Sequence, residues 1–200
     1  VEHIDYQSAI GSLPLYLRSS VNSFPQSGGY LKADPRRVEV WRQRLDAMGA
    51  GAKVGISWRG GSVDTQTRLR SMTIEHLGPA LRRAGVQWFS MQYGVTPEEL
   101  RKLREAHGVS IHDHPDIPGN LDETAALMCA LDLIVTVDNT NVHLAGALGC
   151  PARVLVSALP DWRYGRSGNS IDWYPGVTLF RQKQVGVWED VWRDALSGIS

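Results

Sequence analysis

The sequence alternates short apolar runs with amphipathic segments from residue 53 onwards, and this alternation limits the folds open to it. The apolar runs predict β-strands at 53–58, 86–92, 109–114, 132–137, 152–157 and 177–180. Segments with helical spacing of apolar residues follow them, at 73–85, 96–108, 120–131, 141–149 and 187–199. The helix at 96–108 should start with Thr96 as its cap and Pro97 at its first position. Strands that are apolar throughout and are joined by helices form parallel sheets covered on both faces. The pattern therefore predicts a doubly wound, Rossmann-like α/β fold with a parallel sheet of about six strands. Strand 132–137 should be central, because no polar residue interrupts its middle.

The first 52 residues have a different character. Glycine, proline and serine are scattered through 1–35, which predicts an irregular segment. Asp34 and Pro35 then form a helix start, with Asp as the N-cap and Pro at the first helical position. We therefore divide the chain into 1–52, an irregular interdomain segment plus one helix, and 53–200, the Rossmann-like domain. Because the chain begins at Val1 and not at methionine, we expect it to be a fragment of a longer protein.

Composition excludes several classes of function. The chain is 42% hydrophobic and has a formal net charge of zero, with no basic stripe, so no nucleic-acid partner is predicted. No apolar run is long enough for a transmembrane segment, and no secretory signal is visible. Cys129 and Cys150 lie in apolar stretches. They predict packed thiols more than a disulfide or metal pair, which suits a reducing, cytoplasmic location.

The one polar corner of an otherwise apolar unit follows strand 132–137. It contains Asp138, Asn139, Thr140, Asn141 and His143. In a doubly wound sheet, ligands bind beyond the carboxyl ends of the strands, where helix N-termini favour phosphate. We expect His143 to be neutral in the empty site and to gain a proton when a diphosphate binds. The alternative is that the first two residues are only helix caps and that His143 is a hydrogen-bonded wall residue.

A second corner follows the first strand of the alternating region. Its small residues and possible anion donors are Ser57, Arg59, Gly60, Gly61, Arg68 and Arg70. It is neither a Walker motif nor G-x-G-x-x-G, so the ATP and dinucleotide fingerprints are absent. A flexible loop with solvated arginines is the alternative. Because both corners follow parallel strands, we expect them to face one cleft at the same sheet edge.

Two weaker features remain. His112, His114 and Asp116 could contribute to a metal site, but no further ligand is identifiable by spacing, and a loop at a strand end is the preferred interpretation. Trp162 and Trp173 lie in a long loop after strand 152–157, and loops of that length are often functional.

Several segments, in this order, resemble the C-terminal half of bacterial GT-B glycosyltransferases. They are KVGISWRGG, RLRSMTIEHLGPAL, VQWFSMQYG, LDETAALMCALDLIVTVDNTNVHLAGALGCPARVLV, PDWRYG and WYPGVTLFRQ. The resemblance covers roughly 30–183 and is to the type found after tetratricopeptide repeats; it is more distant to heptosyltransferases and O-linked N-acetylglucosamine transferases. It implies that 53–200 binds a nucleoside-diphosphate sugar and that the protein transfers the sugar to an unknown acceptor.

The resemblance also implies roles for individual residues. Asp138 and the helix start through His143 would face the donor sugar and diphosphate, and Ser57, Arg59, Gly60 and Arg70 the phosphates. Gln92 and Tyr93 would lie near the nucleoside, and Asp122 and Thr124 would border the cleft, unless Asp122 is only a helix cap. Arg70 and His143 are the candidate catalytic residues, which would stabilise the leaving group without a metal cofactor.

The sequence departs from the family pattern in three ways. Asn139 and Thr140 follow the aspartate where the family usually has threonine first, and Arg70 stands nearest to a lysine of heptosyltransferases. The N-terminal half, which usually supplies acceptor contacts and often the base, is missing. A non-catalytic binding or interaction module of a larger tetratricopeptide-repeat protein is therefore the alternative function.

Overall fold

A computed structural model describes residues 3–60, 70–114, 117 and 119–199. Its six strands are β1 (Ala52–Ser57), β2 (Val86–Ser90), β3 (Ile111–His112), β4 (Leu133–Val137), β5 (Ala152–Val156) and β6 (Val177–Arg181). Its seven α-helices are α1 (Leu13–Leu17), α2 (Pro35–Ala47), α3 (Ile74–Leu81), α4 (Pro97–His107), α5 (Leu121–Ala130), α6 (Thr140–Leu148) and α7 (Glu189–Ala195).

All six strands belong to one parallel sheet, in the order β3-β2-β1-β4-β5-β6. The chain starts in the middle at β1, moves out to β3, and returns to place β4 on the other side of β1. This confirms the doubly wound Rossmann-like fold and the central position of β4, which pairs with both β1 and β5. The direction of winding reverses between β1 and β4, which makes that crevice the topological switch point.

A hydrophobic core covers each face of the sheet. Trp41 of α2 and Leu127 of α5 pack on one face with Ile134 of β4. Leu77 of α3 and Trp192 of α7 pack on the other face with Val135 of β4. Successive residues of a strand point to opposite faces, so a strand buried on both sides is apolar at most positions. This explains the nearly continuous apolar runs in the sequence, to which the buried Thr136 of β4 is an exception.

Capping residues set the helix starts as the sequence predicts. The Asp34 side chain accepts a hydrogen bond of 2.8 Å from the Arg36 backbone N–H, with Pro35 at the first turn of α2. At α4, Thr96 accepts from the backbone N–H of Glu99, and the Glu99 carboxylate accepts from the Thr96 backbone N–H. These hydrogen bonds satisfy backbone donors that a helix N-terminus would otherwise leave unpaired.

Several elements differ from the predicted ones. The segment predicted to be irregular contains the short helix α1, because Pro14 stands in the first turn, where proline favours a helix. The strand predicted at 109–114 is reduced to β3, an edge strand that only β2 holds. The closing helix predicted at 187–199 is reduced to α7.

Small residues in α6 serve loops as well as the sheet. A Cβ atom at Gly146 would clash with the ring of Tyr174, and one at Gly149 with the carbonyl of Gly28. Ala145 and Ala147 are fully buried. The small residues therefore allow the loop after β5 and the segment before α2 to pack against this helix.

Among the described residues, no helix is both long enough and apolar enough to cross a membrane.

Candidate functional site

A pocket of about 450 Å³ lies beyond the carboxyl ends of β1, β2 and β4, at the switch point. Pockets that bind small molecules have volumes of about 300–1,000 Å³. We call it the switch-point pocket. Most of the residues predicted for the nucleotide-sugar site line it, namely Ser57, Arg59, Gly60, Gln92, Tyr93, Thr124, Asn139, Thr140 and Asn141.

An apolar part of the pocket wall was not predicted from the sequence. Met91, Ile117, Leu121 and Leu144 form it. Leu121 is 69% exposed, although it is a large apolar residue in the first turn of α5. These four residues come from separate segments and share no motif, so the sequence alone does not distinguish them from residues of the hydrophobic core.

The two predicted corners are in contact. The Asn139 side-chain amide donates to Ser57 Oγ at 2.8 Å and to the Arg59 carbonyl at 3.1 Å. A Cβ atom at Gly60 would lie 3.2 Å from the Asp138 carbonyl, so the loop after β1 passes tightly over the loop after β4. Both corners therefore lie at the same edge of the sheet and border the same pocket.

Gln92, just after β2, holds the first corner in shape. Its Oε1 accepts from Ser57 Oγ at 3.1 Å and from the backbone N–H groups of Trp58 and Arg59 at 3.0 and 2.8 Å. Its Nε2 donates to the Tyr93 carbonyl. Both ends of this buried amide are used within the protein. Gln92 therefore fixes the loop that lines the pocket.

Asn139 caps α6 and connects the corners. Its Oδ1 accepts from the Asn141 backbone N–H at 2.9 Å and from Thr136 Oγ1 at 3.1 Å. The Asn141 side chain in turn donates to the Met91 carbonyl at 2.9 Å. The start of α6 is thus tied to the ends of β1 and β2, and its N-terminus, which carries a partial positive charge, lies at the pocket.

Arg59, predicted to face phosphates, is engaged by a carboxylate. Its guanidinium forms an ion pair with Glu99 of α4 and donates to the Gly94 carbonyl. Burial opposes ionisation of Glu99, but the Arg59 hydrogen bond is among the interactions that leave its pKa below the ordinary value. The positive charge at this wall of the pocket is therefore partly neutralised.

Four predicted residues do not line the switch-point pocket. Asp122 is exposed in the first turn of α5, where the actual cap is Asn120, whose Oδ1 accepts from the Asp122 backbone N–H. Arg70, Asp138 and His143 lie outside the lining as well. Thr124 lines the pocket, but its hydroxyl donates to the carbonyls of Ile117 and Asn120.

Asp138 and His143 face a different group of side chains. His143 Nδ1 lies 3.3 Å from the Tyr174 hydroxyl, and its ring centroid is 6.3 Å from that of Tyr164. Asp138 acts electrostatically on Tyr164, as does Arg70, whose guanidinium also donates to the Asp138 carbonyl at 3.4 Å. We call Asp138, His143, Tyr164 and Tyr174 the aspartate–tyrosine cluster.

The Asp138 carboxyl group is buried, with 1% of the residue exposed. Neither of its oxygens has a hydrogen-bond partner among the described residues. Burial raises its pKa from the ordinary 3.8 to about 7, although the positive charge of Arg70 opposes this. A buried carboxyl that titrates near neutral pH is typical of functional sites.

Burial also governs the other titrating groups of the cluster. It lowers the pKa of His143, and the positive charge of Arg163 acts in the same direction. Burial raises the pKa of Tyr174 to about 12 and that of Tyr164 above its usual value. The lowered pKa favours the neutral form of His143 when no ligand is bound.

The histidines considered for a metal site lie in separate surroundings. His112 stacks on Phe89 with ring centroids 4.9 Å apart, and His114 packs edge-on against Trp41 at 5.0 Å. Gly61, Arg68 and Asp116 lie outside the described residues. Within the described ranges, no three His, Cys, Asp or Glu side chains are grouped as a metal ion would require.

Comparison with known proteins places the fold. No family model matches the chain. Protein FlbA of Caulobacter vibrioides is 36% identical over 191 residues, which cover 94% of this chain and 32% of FlbA. The crystal structure of the glycosyl transferase family 9 from Veillonella parvula superposes with a TM-score of 0.58 at 14% identity, covering 78% of this chain and 44% of that one. The chain shares its α/β fold with a family 9 glycosyltransferase. It spans about a third of the length of FlbA and less than half of the glycosyltransferase.

Proposed function

We propose that this chain is the donor-binding half of a glycosyltransferase and that the switch-point pocket holds a nucleoside-diphosphate sugar. The observation that carries the proposal is the position of the pocket. It lies outside the carboxyl ends of parallel strands, where the winding of the sheet reverses and an α-helix begins. Ligands of open α/β sheets bind at this place. The fold shared with a family 9 glycosyltransferase supports the choice of reaction class.

The lining of the pocket suits the two chemically different parts of such a ligand. Met91, Ile117, Leu121 and Leu144 provide an apolar wall for a nucleobase. The N-terminus of α6, with the Thr140 hydroxyl in its first turn, provides the partial positive charge and donors that a diphosphate requires. The sugar would extend towards the aspartate–tyrosine cluster, which lies on the other side of the same helix start.

Catalysis in this proposal is electrostatic. Arg70 and His143 would stabilise the diphosphate as it leaves, and preorganised donors of this kind substitute for a metal ion. We therefore expect diphosphate binding to be unchanged by a chelator. The acceptor, and the base that activates it, would be held by another part of the longer protein.

A second candidate is a non-catalytic binding or interaction module of a larger tetratricopeptide-repeat protein. It is favoured by the fact that several polar groups lining the pocket are already bonded to other groups of the protein. Both ends of the Gln92 amide are bonded within the protein, and Arg59 is paired with Glu99. A module that had lost its ligand would retain such a network because the network holds the loops in place.

Calorimetry on the 200-residue chain tests the binding step, with a nucleoside, its monophosphate and its diphosphate as ligands. The proposal expects the diphosphate to bind at least about tenfold more tightly than the nucleoside, since hydrogen bonds to charged groups contribute about 1.5–3 kcal/mol. NMR shift changes should centre on Leu121, Thr140 and Leu144. Absence of binding at millimolar diphosphate would favour the non-catalytic module. A transferase assay on the longer protein then tests the reaction itself.

A further inference from the structure

The two cysteines of the chain are in contact with each other. Cys129 Sγ lies 3.4 Å from Cys150 Sγ. Cys129 is near the C-terminal end of α5, and Cys150 follows Gly149, which ends α6. The Cys129 side chain is half-buried and Cys150 is buried, and both are free thiols. The sequence predicts packed thiols more than a disulfide or metal pair, and the contact between them is visible only in the tertiary structure.

We propose that Cys129 and Cys150 form a reactive dithiol that low-molecular-weight disulfides oxidise to an intramolecular disulfide. Three features carry the proposal: the contact between the sulfur atoms, the partial exposure of one of them, and the location of both at the ends of helices. A disulfide bond is about 2.05 Å long, so the sulfur atoms need to approach by about 1.4 Å. Rotation of the two side chains would have to supply that movement.

The two cysteines would have different roles. Cys129 is the accessible one, so it attacks the reagent. The contact with Cys150 lowers the pKa of Cys129 despite its burial, and the positive charge of Arg42 on α2 acts in the same direction. A lowered pKa increases the fraction of thiolate, which is the form that attacks a disulfide. Cys150, which burial and the neighbouring sulfur keep protonated, is the resolving thiol.

The reaction proceeds in two exchange steps. The Cys129 thiolate attacks one sulfur of the reagent, a Cys129–reagent disulfide forms, and one reagent thiolate leaves. Cys150 then loses its proton, either to that thiolate or to water, and attacks Cys129 Sγ. The new Cys129–Cys150 bond releases the second reagent thiol. The protein loses two electrons and two protons, and the reagent disulfide is reduced to two thiols.

The bond would close a loop that contains β4, the polar corner and α6. The disulfide would link the C-terminal end of α5 to the residue that follows Gly149 at the end of α6. The N-terminal ends of the same two helices line the switch-point pocket. This inference does not depend on the identity of the pocket's ligand.

The whole chain, reduced and then exposed to glutathione disulfide at pH 7.5, tests the proposal. Wild type should lose both alkylatable thiols and about 2 Da of mass as a monomer. Its thermal midpoint should rise by about 5 °C, because the disulfide restricts the unfolded chain. Cys150→Ser should stop at a stable adduct with one glutathione on Cys129. Cys129→Ser should react at least tenfold more slowly, because Cys150 is buried. Unfolded wild type serves as the control for reagent activity.

Three results would overturn the proposal. The first is a wild-type chain that carries two glutathione adducts and no internal bond. The second is a folded chain that does not react while the unfolded control does. The third is a disulfide-linked dimer as the main product. In all three cases the cysteines would be packed thiols without a joint reaction.

Discussion

Replacement of Asp138 by Asn should stabilise the protein at alkaline pH and have no such effect at acid pH. Burial raises the pKa of Asp138 in the folded state to about 7, from the ordinary 3.8. Between these values the folded state binds a proton that the unfolded state has released, so stability falls as pH rises from about 4 to about 7. A shift of about 3 pKa units corresponds to about 4 kcal/mol, at 1.36 kcal/mol for each unit. Because water and neighbouring groups can rearrange around the ionised carboxylate, we treat this as the upper limit of the effect.

The measurement is the free energy of unfolding in urea at pH 5, 6, 7 and 8. The difference between Asp138→Asn and wild type should grow with pH in favour of the variant, by up to about 2.6 kcal/mol over this range, because the rest of the effect falls below pH 5. The new amide can also change the free energy of unfolding by an amount that is the same at every pH. Such a constant does not affect how the difference between variant and wild type changes with pH. The groups that face the carboxyl, Arg70, Asp161 and Tyr164, are present in both proteins and therefore cancel as well.

Glu98→Gln provides a control that should be flat with pH. A hydrogen bond from Arg101 lowers the pKa of Glu98, so its contribution to stability is present above the ordinary value of 4.5 and is lost only as the pH falls below that value. Between pH 5 and 8 the difference between the Glu98 variant and wild type should therefore stay constant. If the Asp138 difference is equally flat, or shifts in favour of wild type as pH rises, the carboxyl is not held in the neutral form by burial and the argument fails.

Three further predictions concern the switch-point pocket. Leu121→Ala should weaken nucleotide binding by about 1 kcal/mol through loss of apolar contact, whereas the similarly exposed Leu159→Ala should not change it; equal effects in calorimetry would remove Leu121 from the site. Glu99→Gln should release Arg59 and strengthen diphosphate binding about threefold or more, and unchanged affinity would show that Arg59 does not reach the phosphates. Gln92→Leu should lower the free energy of unfolding by about 3 kcal/mol or more, because three buried donors lose their acceptor; a loss below about 1 kcal/mol in urea would contradict the assigned role.

The sequence predicted those features that depend on local chemistry. The central strand β4 was recognisable because no polar residue interrupts 133–135, and strands buried on both faces are mostly apolar. The starts of α2 and α4 were recognisable because Asp34-Pro35 and Thr96-Pro97 are cap and first-turn pairs. The contact between the two corners followed from the topology alone, since parallel strands present their carboxyl ends at one edge of the sheet.

The division of the polar corner between two sides of α6 was not predicted. Residues that are adjacent in sequence were assigned to one cleft, but a helix turns by about 100° for each residue. Thr140, Asn141 and Leu144 face the switch-point pocket, while His143 faces Tyr174. Helical geometry could have separated these faces, but which face meets the pocket depends on how the loop after β5 packs, and that packing is not encoded locally.

The neutralisation of the Arg59 charge by a distant carboxylate could also not be predicted from the sequence. Arg59 was assigned to phosphates by residue type, yet its carboxylate partner, Glu99, comes from a helix 40 positions later in the chain. The apolar wall was missed for a related reason, since Met91, Ile117 and Leu144 belong to different segments and share no motif. Such features need the tertiary structure because they depend on which elements become neighbours.

The asparagine that follows Asp138 bears on the choice between the two candidate functions. The glycosyltransferases that this sequence resembles usually have threonine there, and the replacement by Asn139 was one reason to consider a module without activity. A threonine hydroxyl can cap the helix, but it has a single donor hydrogen. The asparagine amide caps α6 with its oxygen and uses its nitrogen to bind both Ser57 and the Arg59 carbonyl. It therefore fixes the loops after β1 and β4 more firmly than threonine could, and a preformed pocket loses less entropy when a ligand binds. The replacement thus fits retained ligand binding at least as well as its loss, so the ion pair of Arg59 with Glu99 is the stronger observation for the non-catalytic module.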